Sequence, residues 1–288
     1  MTEIPPAAPG TASQVAELLG GLVPVSLYGP DGARLLDLLY RYDGTFTTDM
    51  LAVAQDVVGP VLELGCGAGR VTVPFLEHGH EMVALDLSPY MLTVLIERLL
   101  EQHDRSYLER IQLVAGDMAD FRLDRRFGLV LITDSAVLAL DQSRRAAMFR
   151  CVREHLAPDG TVLIHVRLTE LDTEENRGMS ACESVSVFTF HDGISSLLCT
   201  QFDRDDPVEG VRSASVLTHR LGEDGVIADT KLYNATIYPT TLAMLVAEME
   251  RTGLTVTARL EIGPGPLEDD PPRRLVRQVL LCAAHSRL

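Results

Sequence analysis

Residues 61–70 read Val-Leu-Glu-Leu-Gly-Cys-Gly-Ala-Gly-Arg, a short apolar run that breaks into three alternating glycines. Val61–Leu64 has the composition of a buried strand end. At Gly65, Gly67 and Gly69 the missing Cβ atoms let the backbone turn sharply and approach a ligand. Val71 to Glu77 then enters a helix. Strand, glycine turn and helix form the first half of a βαβ unit, which commits the chain to an α/β architecture with a mostly parallel sheet.

The spacing narrows what such a turn can hold. A dinucleotide fingerprint is Gly-x-Gly-x-x-Gly. Here the order is Gly-x-Gly-x-Gly and the sixth position is Arg70. Glu63, just inside the turn, would repel a pyrophosphate but not a cationic or zwitterionic ligand. Walker-type phosphate binding is disfavoured as well, since no Gly-Lys-Ser/Thr follows and Lys231 is the only lysine.

Two further acids sit where a nucleoside site needs them. Met82–Leu85 reads as a second strand ending at Asp86, about 20 residues past the turn, the place from which an acid accepts ribose hydroxyls. Ile111–Ala115 reads as a third strand followed by Gly116-Asp117-Met118. There Asp117 is suited to accept from an adenine amino group while Met118 covers the ring face. A single strand-end Asp is more often a cap or turn former; three acids in register after successive strands are not readily explained so.

Glu63-x-Gly65-x-Gly67-x-Gly69, Asp86 and Gly116-Asp117-Met118 together resemble the class I S-adenosylmethionine-dependent methyltransferases, of the small-molecule or natural-product type. So do Phe127–Ile132, read as a fourth strand, and Leu156–Thr161, read as the turn before a fifth. The resemblance covers roughly residues 56–168 and is weakest over 170–238. It implies S-adenosyl-L-methionine as cofactor. The candidate cofactor-binding residues are Tyr28, Glu63, Gly65, Cys66, Gly67, Gly69, Arg70, Asp86, Leu87, Gly116, Asp117, Met118 and Thr133.

Along the chain the expected organisation has four parts: an N-terminal helical cap (1–55), the Rossmann-like core (56–168), an antiparallel β insertion after strand five (169–239), and a C-terminal helix and strands completing the core (240–288). The fold class is α/β, a doubly wound, mostly parallel sheet with an antiparallel last strand. Apolar spacing predicts helices over Thr11–Leu22 and Asp31–Tyr42, the second capped by Asp31. After a polar linker, Thr169–Ser180, four β-rich runs (Ser184–Phe190, Ile194–Phe202, Arg212–Leu221 and Val226–Tyr238) are separated by His191-Asp192-Gly193, by a polar stretch from Asp203 to Gly210, and by Gly222-Glu223-Asp224-Gly225. The Asp-Gly turns signal hairpins, and an antiparallel insertion of three or four strands is expected. A helix from about Thr241 to Arg251, capped by Thr240 or Thr241, precedes an antiparallel pair, Leu254–Ile262 and Leu275–Ala283.

Composition closes other routes. A net charge of −16 argues against nucleic acid as substrate. The five cysteines are odd in number and lack metal-ligand spacing, so neither a disulfide framework nor a metal site is indicated. No apolar run approaches the ~18 residues that span a bilayer, and the start of the chain lacks the basic segment of a secretory signal. A cytoplasmic enzyme with no membrane or nucleic-acid partner is expected, with a homodimer through the β insertion as one arrangement.

Methyl transfer from a sulfonium is an in-line displacement, so positioning supplies much of the rate. Ligands of open α/β sheets lie outside the carboxyl ends of the strands, which places Asp134 and His165 nearest the reacting centre. Asp134 is the acidic candidate for orienting an amine, or else a helix cap; His165 is the candidate base, or else a core histidine. Tyr42, Arg167, His191, His219 and Tyr233 are the candidate substrate residues. The expected acceptor is a nitrogen or oxygen of a small molecule or peptide, with nitrogen favoured because no persuasive His/Asp pair is present. The alternatives are an aminopropyltransferase of the polyamine-synthase type, disfavoured because only Asp134 stands near strand four, and a non-catalytic cofactor-binding module.

Overall fold

The computed structural model describes residues 8–40, 46–101, 105–134, 136–168, 182–191, 196–206, 208–222, 224–262 and 277–286. The chain divides into two compact units, one of residues 1–39 and 176–239 and the other of 40–175 and 240–288. The expected N-terminal cap is thus apportioned between the two. Tyr42, the 169–180 linker, the 192–195 turn and the 263–276 connection lie outside the described residues.

The larger unit is built on a seven-stranded sheet. Its strands are β2 (Val61–Leu64), β3 (Met82–Asp86), β4 (Ile111–Ala115), β5 (Phe127–Ile132), β6 (Leu156–Leu168), β11 (Leu254–Ile262) and β12 (Arg277–His285), in the order β11-β12-β6-β5-β2-β3-β4. β4, β3, β2, β5 and β6 run parallel, whereas β12 lies antiparallel between β6 and β11. The chain adds β3 and β4 on one side of β2 and then returns to its other side with β5. That reversal makes the carboxyl ends of β2 and β5 the crevice where such sheets receive ligands.

Central strands of a parallel sheet are covered on both faces and therefore read as unbroken apolar runs. Every residue of β2 and β5 is buried. The covering helices in this unit are α3 (Thr47–Ala54), α4 (Thr72–Glu77), α5 (Pro89–Glu101), α6 (Gln142–His155) and α7 (Leu242–Arg251). Phe46, Met50 and Ala54 of the α3 segment join Val61, Phe75, Leu95, Leu129 and Leu163 in one core. Arg145 of α6 and Glu248 of α7 form a buried pair, Nε to Oε2 at 2.7 Å and Nη2 to Oε1 at 3.1 Å. Thr241 caps α7 by accepting the Met244 N–H at 3.1 Å, and Gly253 ends it with φ 85°. Among the described residues no helix is long and apolar enough to cross a membrane.

The smaller unit holds a second sheet: β1 (Val25–Ser26), β7 (Cys182–His191), β8 (Ser196–Asp206), β9 (Val211–Leu221) and β10 (Ile227–Ile237), ordered β1-β10-β9-β8-β7. The four inserted strands are antiparallel, as their Asp-Gly punctuation predicts, and β1 adds a parallel edge. Helix α1 (Thr11–Leu18) packs its alanines against Phe202, Leu217 and Leu232; α2 (Pro30–Tyr40) sends Leu35 against Leu197, Cys199, Val216 and Tyr233. Because Leu232 and Tyr233 are adjacent on one strand, they face opposite sides. The two helices therefore clasp the sheet from both faces.

Several expectations need correcting. Asp31 is no cap: it lies in the first turn of α2 and pairs with Lys231 Nζ at 2.8 Å. The first helix stops at Leu18, before Gly20 and Gly21, both of positive φ. Residues 157–160 are a bulge within β6 rather than a turn ahead of it, since Leu156 pairs with Phe127 while Thr161 pairs with Leu129. β8 continues to Asp206, past the Asp203 at which the polar composition suggests a loop. The last strand begins at Arg277 rather than Leu275.

Candidate functional site

The glycine turn is tied to the strand beside it. The N–H groups of Gly65 and Cys66 both donate to the Leu85 carbonyl, at 2.8 and 3.1 Å, and Gly67 N–H donates to Asp86 Oδ2 at 2.8 Å. Gly69 has φ 82°, and a Cβ there would stand 2.2 Å from Leu95 Cδ1. It is therefore Gly69 that lets α5 close on the turn, the work done one residue later in a dinucleotide fingerprint. Arg98 of α5 completes the clamp by donating to the Ala68 carbonyl at 2.9 Å.

Glu63 sits beneath this turn, 1% exposed. Its Oε2 accepts from the Thr72 hydroxyl at 2.5 Å and its Oε1 from the Thr133 hydroxyl at 3.0 Å, the second bond crossing the crevice between β2 and β5. Burial pushes the carboxyl up to about 7, against the two hydroxyls and the charge of Arg70. At the end of β3, Asp86 takes a backbone N–H on each oxygen, from Gly67 and from Ser88, both at 2.8 Å. Burial raises it also, and those two bonds oppose the rise. Beyond β4, Asp117 Oδ1 accepts the Ala119 N–H at 2.9 Å, and Oδ2 is ion-paired with Arg144 of α6. Met118 flanks Gly65, its sulfur 3.9 Å from where a Cβ would stand. Leu87 is 67% exposed, and Gly116 N–H is bonded to the Asp86 carbonyl. Cys66 is buried and its thiol is pushed well above the ordinary range, which keeps it protonated and unsuited to nucleophilic work.

A second cluster lies past β5 and β6. Asp134 has φ 47°, a left-handed conformation unusual outside glycine. Its carboxylate pairs with Arg70 and, at 3.4 Å, with Arg167 Nε. Burial works against its charge, but the two guanidinium groups outweigh that and hold it below the usual carboxylate range. Asp134 is thus an ion-pair centre and not a helix cap. Arg70 lies over the rings of Phe46 and Tyr40, 4.9 and 5.7 Å from their centroids, a cation–π arrangement.

His165 is fully buried, stacked on Phe46 with centroids 3.9 Å apart and planes 8° from parallel. Its Nε2 bonds Gln278 Oε1 at 3.1 Å, which makes Nε2 the protonated nitrogen and leaves Nδ1 as a lone pair. Nδ1 has no partner among the described residues. Burial, with Arg167 and Arg70, lowers His165 to about 4 against the pull of Asp134. It is neutral at pH 7 and a weak base.

The structure thus gathers Glu63, Gly65, Cys66, Gly67, Gly69, Arg70, Asp86, Leu87, Gly116, Asp117, Met118, Thr133, Asp134, His165 and Arg167 in the larger unit. Tyr28, His191, His219 and Tyr233 belong to the smaller one. Tyr28 is 44% exposed, at the turn after β1. His191 ends β7 opposite Ser196. His219 forms a cross-strand bond with Thr230 Oγ1 at 2.9 Å. Tyr233 corrects the sequence expectation: it is 5% exposed within an apolar core, so its ring serves packing. Sequence reasoning missed Thr72, Arg98, Arg144, Phe46 and Gln278. Only Arg98 left a usable signal, a cation amid the apolar run of α5. Among the described residues no cluster of three or more His, Cys, Asp or Glu converges to hold a metal.

A parallel sheet with a glycine turn at its reversal point, a buried acid beneath the turn and a second acid at the next strand end defines a Rossmann-like nucleoside-binding domain. Residues 61–160 match the family model described as a methyltransferase domain. Over 149 residues the chain is 32% identical to a dTDP-3-amino-3,4,6-trideoxy-alpha-D-glucopyranose N,N-dimethyltransferase from Streptomyces venezuelae, covering 48% of this chain and 58% of that protein. It is 30% identical to a cypemycin N-terminal methyltransferase from a Streptomyces species over 105 residues, 36% of this chain and 40% of that one. Less than two thirds of either relative is spanned. The glycopeptide N-methyltransferase MtfA, solved in complex with (S)-adenosyl-L-methionine, superposes with a TM-score of 0.57 at 28% identity, covering 84% of this chain and 93% of that structure. Residues 61–160 thus match a methyltransferase domain, and the chain is similar to the N-methyltransferases named above, one of them solved with S-adenosylmethionine.

Proposed function

We propose that this protein transfers a methyl group from S-adenosyl-L-methionine to the nitrogen of a small-molecule or peptide intermediate in secondary metabolism. One observation carries the reading: Glu63 and Asp86, fixed at the ends of adjacent parallel strands, are joined by a glycine turn whose Gly67 N–H is already bonded to Asp86. The residues fit an adenosyl sulfonium. Asp86 would accept from the ribose hydroxyls, Leu87 and Met118 would give apolar cover to the adenine, Asp117 would accept from its amino group, and Glu63 with Thr133 would balance the charge of the cationic methionine portion. When bound, the cofactor supplies an electrophilic methyl group.

The chain's own contribution is orientation and exclusion of water, from which about 7–11 kcal/mol of a barrier can come. Nitrogen is favoured over oxygen for an electrostatic reason. A hydroxyl must lose its proton near the moment of attack, and neither candidate is suited to take it: His165 is held near 4, and Asp134 is engaged by two arginines. A neutral amine attacks through its own lone pair and needs no such base. That same engagement of Asp134 disfavours a polyamine grip. The named relatives, an amino-sugar and a peptide N-terminal methyltransferase, support nitrogen.

The test is incubation with S-adenosylmethionine and two acceptor panels, amino sugars and peptides with free amino termini, followed by mass spectrometry. A gain of one or more methyl units at nitrogen together with S-adenosylhomocysteine supports the reading. Cofactor binding without transfer to any amine, alongside transfer to a hydroxyl panel, overturns the nitrogen assignment.

A further inference from the structure

Glu63 has a setting its counter-charge role does not explain. It is buried almost completely, and both oxygens are satisfied by neutral hydroxyls, Thr72 at the start of α4 and Thr133 after β5. A buried carboxylate without a cation in contact keeps its charge only at a cost of several kcal/mol, and commonly holds a proton instead. The surrounding charges do not remedy this. Arg70, from the same turn, is drawn to Asp134. Asp86, on the neighbouring strand, adds a like charge, and Cys66 stays a neutral thiol. Asp134, across the crevice, is matched by Arg70 and Arg167.

We propose that Glu63 is a proton-exchanging counter-charge, protonated in part when the crevice is empty and ionised by the arrival of the cationic cofactor, with Thr72 and Thr133 as the positioning residues that set the exchange. This rests on the reading of the site as an S-adenosylmethionine site and adds its regulation: binding is coupled to proton release. In the exchange, the carboxyl O–H of Glu63 gives its proton to solvent, and the carboxylate left behind balances the ligand's positive charge. Both hydroxyls donate to the anion as they stand, so no side chain has to reorganise. The raised carboxyl, at about 7, places the exchange in the neutral range. Affinity then weakens as pH falls below that value, because binding must expel a proton, and levels off above it.

Titration calorimetry with S-adenosylmethionine, in phosphate and in Tris at pH 6.5, reads the protons released from the difference in heat. About half a proton or more per bound ligand is expected from the wild-type protein. That component should vanish in Glu63→Gln, a near-isosteric change, while the ligand's own ammonium contributes equally in both. Thr133→Val removes a donor to the anion and should carry the release to higher pH, and Thr133→Ser should restore it. A purely structural threonine would leave the proton count unmoved. Binding with the same proton count in wild type and Glu63→Gln overturns this inference and leaves the cofactor assignment standing. Absence of binding heat and of thermal protection in the wild-type protein overturns the cofactor assignment itself.

Discussion

Gly67 and Asp86 are joined by a backbone-to-carboxylate hydrogen bond of 2.8 Å that ties the glycine turn to the end of the adjacent strand. One acid therefore shapes the loop and faces the crevice at once. Asp86→Ala should weaken S-adenosylmethionine by about 1.5–3 kcal/mol, as loss of charge-assisted hydrogen bonds does, and lower the melting temperature of the ligand-free protein as well. Calorimetry and thermal melts measure the two effects. An unchanged dissociation constant would remove Asp86 from the ribose.

Glu63 and His165 should give the fold opposed responses to pH. Glu63 is raised from 4.5 to about 7, so its contribution is full below 4.5 and is lost as pH climbs to 7. His165 is lowered from 6.5 to about 4, so its contribution is full above 6.5 and is lost as pH falls to 4. Each has a limiting slope of about 1.4 kcal/mol per pH unit. Between pH 4.5 and 6.5 the two largely cancel. Glu63→Gln should expose a stability that rises with pH over that window, and His165→Gln one that falls. Urea melts at four pH values are sufficient, and parallel curves for all three proteins would contradict the assignments.

The neutrality of His165 also bears on turnover. With an amine acceptor, the pH–rate profile above about pH 5 should lack an ionisation belonging to this residue. His165→Gln should therefore leave the profile's shape intact, whatever it does to its height. A limb that disappears in the variant would make His165 a working base and reopen oxygen as the acceptor.

Arg145 and Glu248 make a bidentate pair at 3% and 1% exposure between α6 and α7, and Arg145 also donates to the Leu140 carbonyl at 2.8 Å. Arg145→Met strands a buried carboxylate and should cost about 3–5 kcal/mol. Adding Glu248→Met should recover a large part of that loss. Chemical denaturation of the two single variants and the double variant reads the coupling.

Gly69→Ala combines a left-handed φ of 82° with a clash at 2.2 Å against Leu95. Destabilisation of about 1–3 kcal/mol or more is expected. Leu95→Ala in the same protein should relieve the clash but not the backbone strain, so only part of the loss should return in thermal melts.

Those contacts also show what a linear reading can reach. Glu63, the glycines and Asp86 were legible because strand ends and turns impose local rules: a carboxylate after an apolar run, a residue without Cβ where the chain reverses. The inserted hairpins were legible from their Asp-Gly punctuation. Arg144 against Asp117, Phe46 against His165 and Gln278 on His165 were not, since each joins segments whose proximity depends on the finished sheet. The helix Thr47–Ala54 was missed because its apolar residues do not trace a clear stripe. Tyr233 misled for the complementary reason: an aromatic residue on a strand looks the same whether it faces a ligand or another layer of the core.

The short strand Val25–Ser26 completes its sheet beside Tyr233 and Asn234, and the Lys231 to Asp31 pair beside it joins residues 200 apart. During synthesis, residues 25–31 must wait until residues 231–234 have left the ribosome before they find these neighbours. The smaller unit therefore closes by joining segments far apart in the chain, and long-range closure of that kind is intrinsically slow. A nascent chain halted before β7 would carry α1 and α2 with their apolar faces uncovered, a natural foothold for a chaperone.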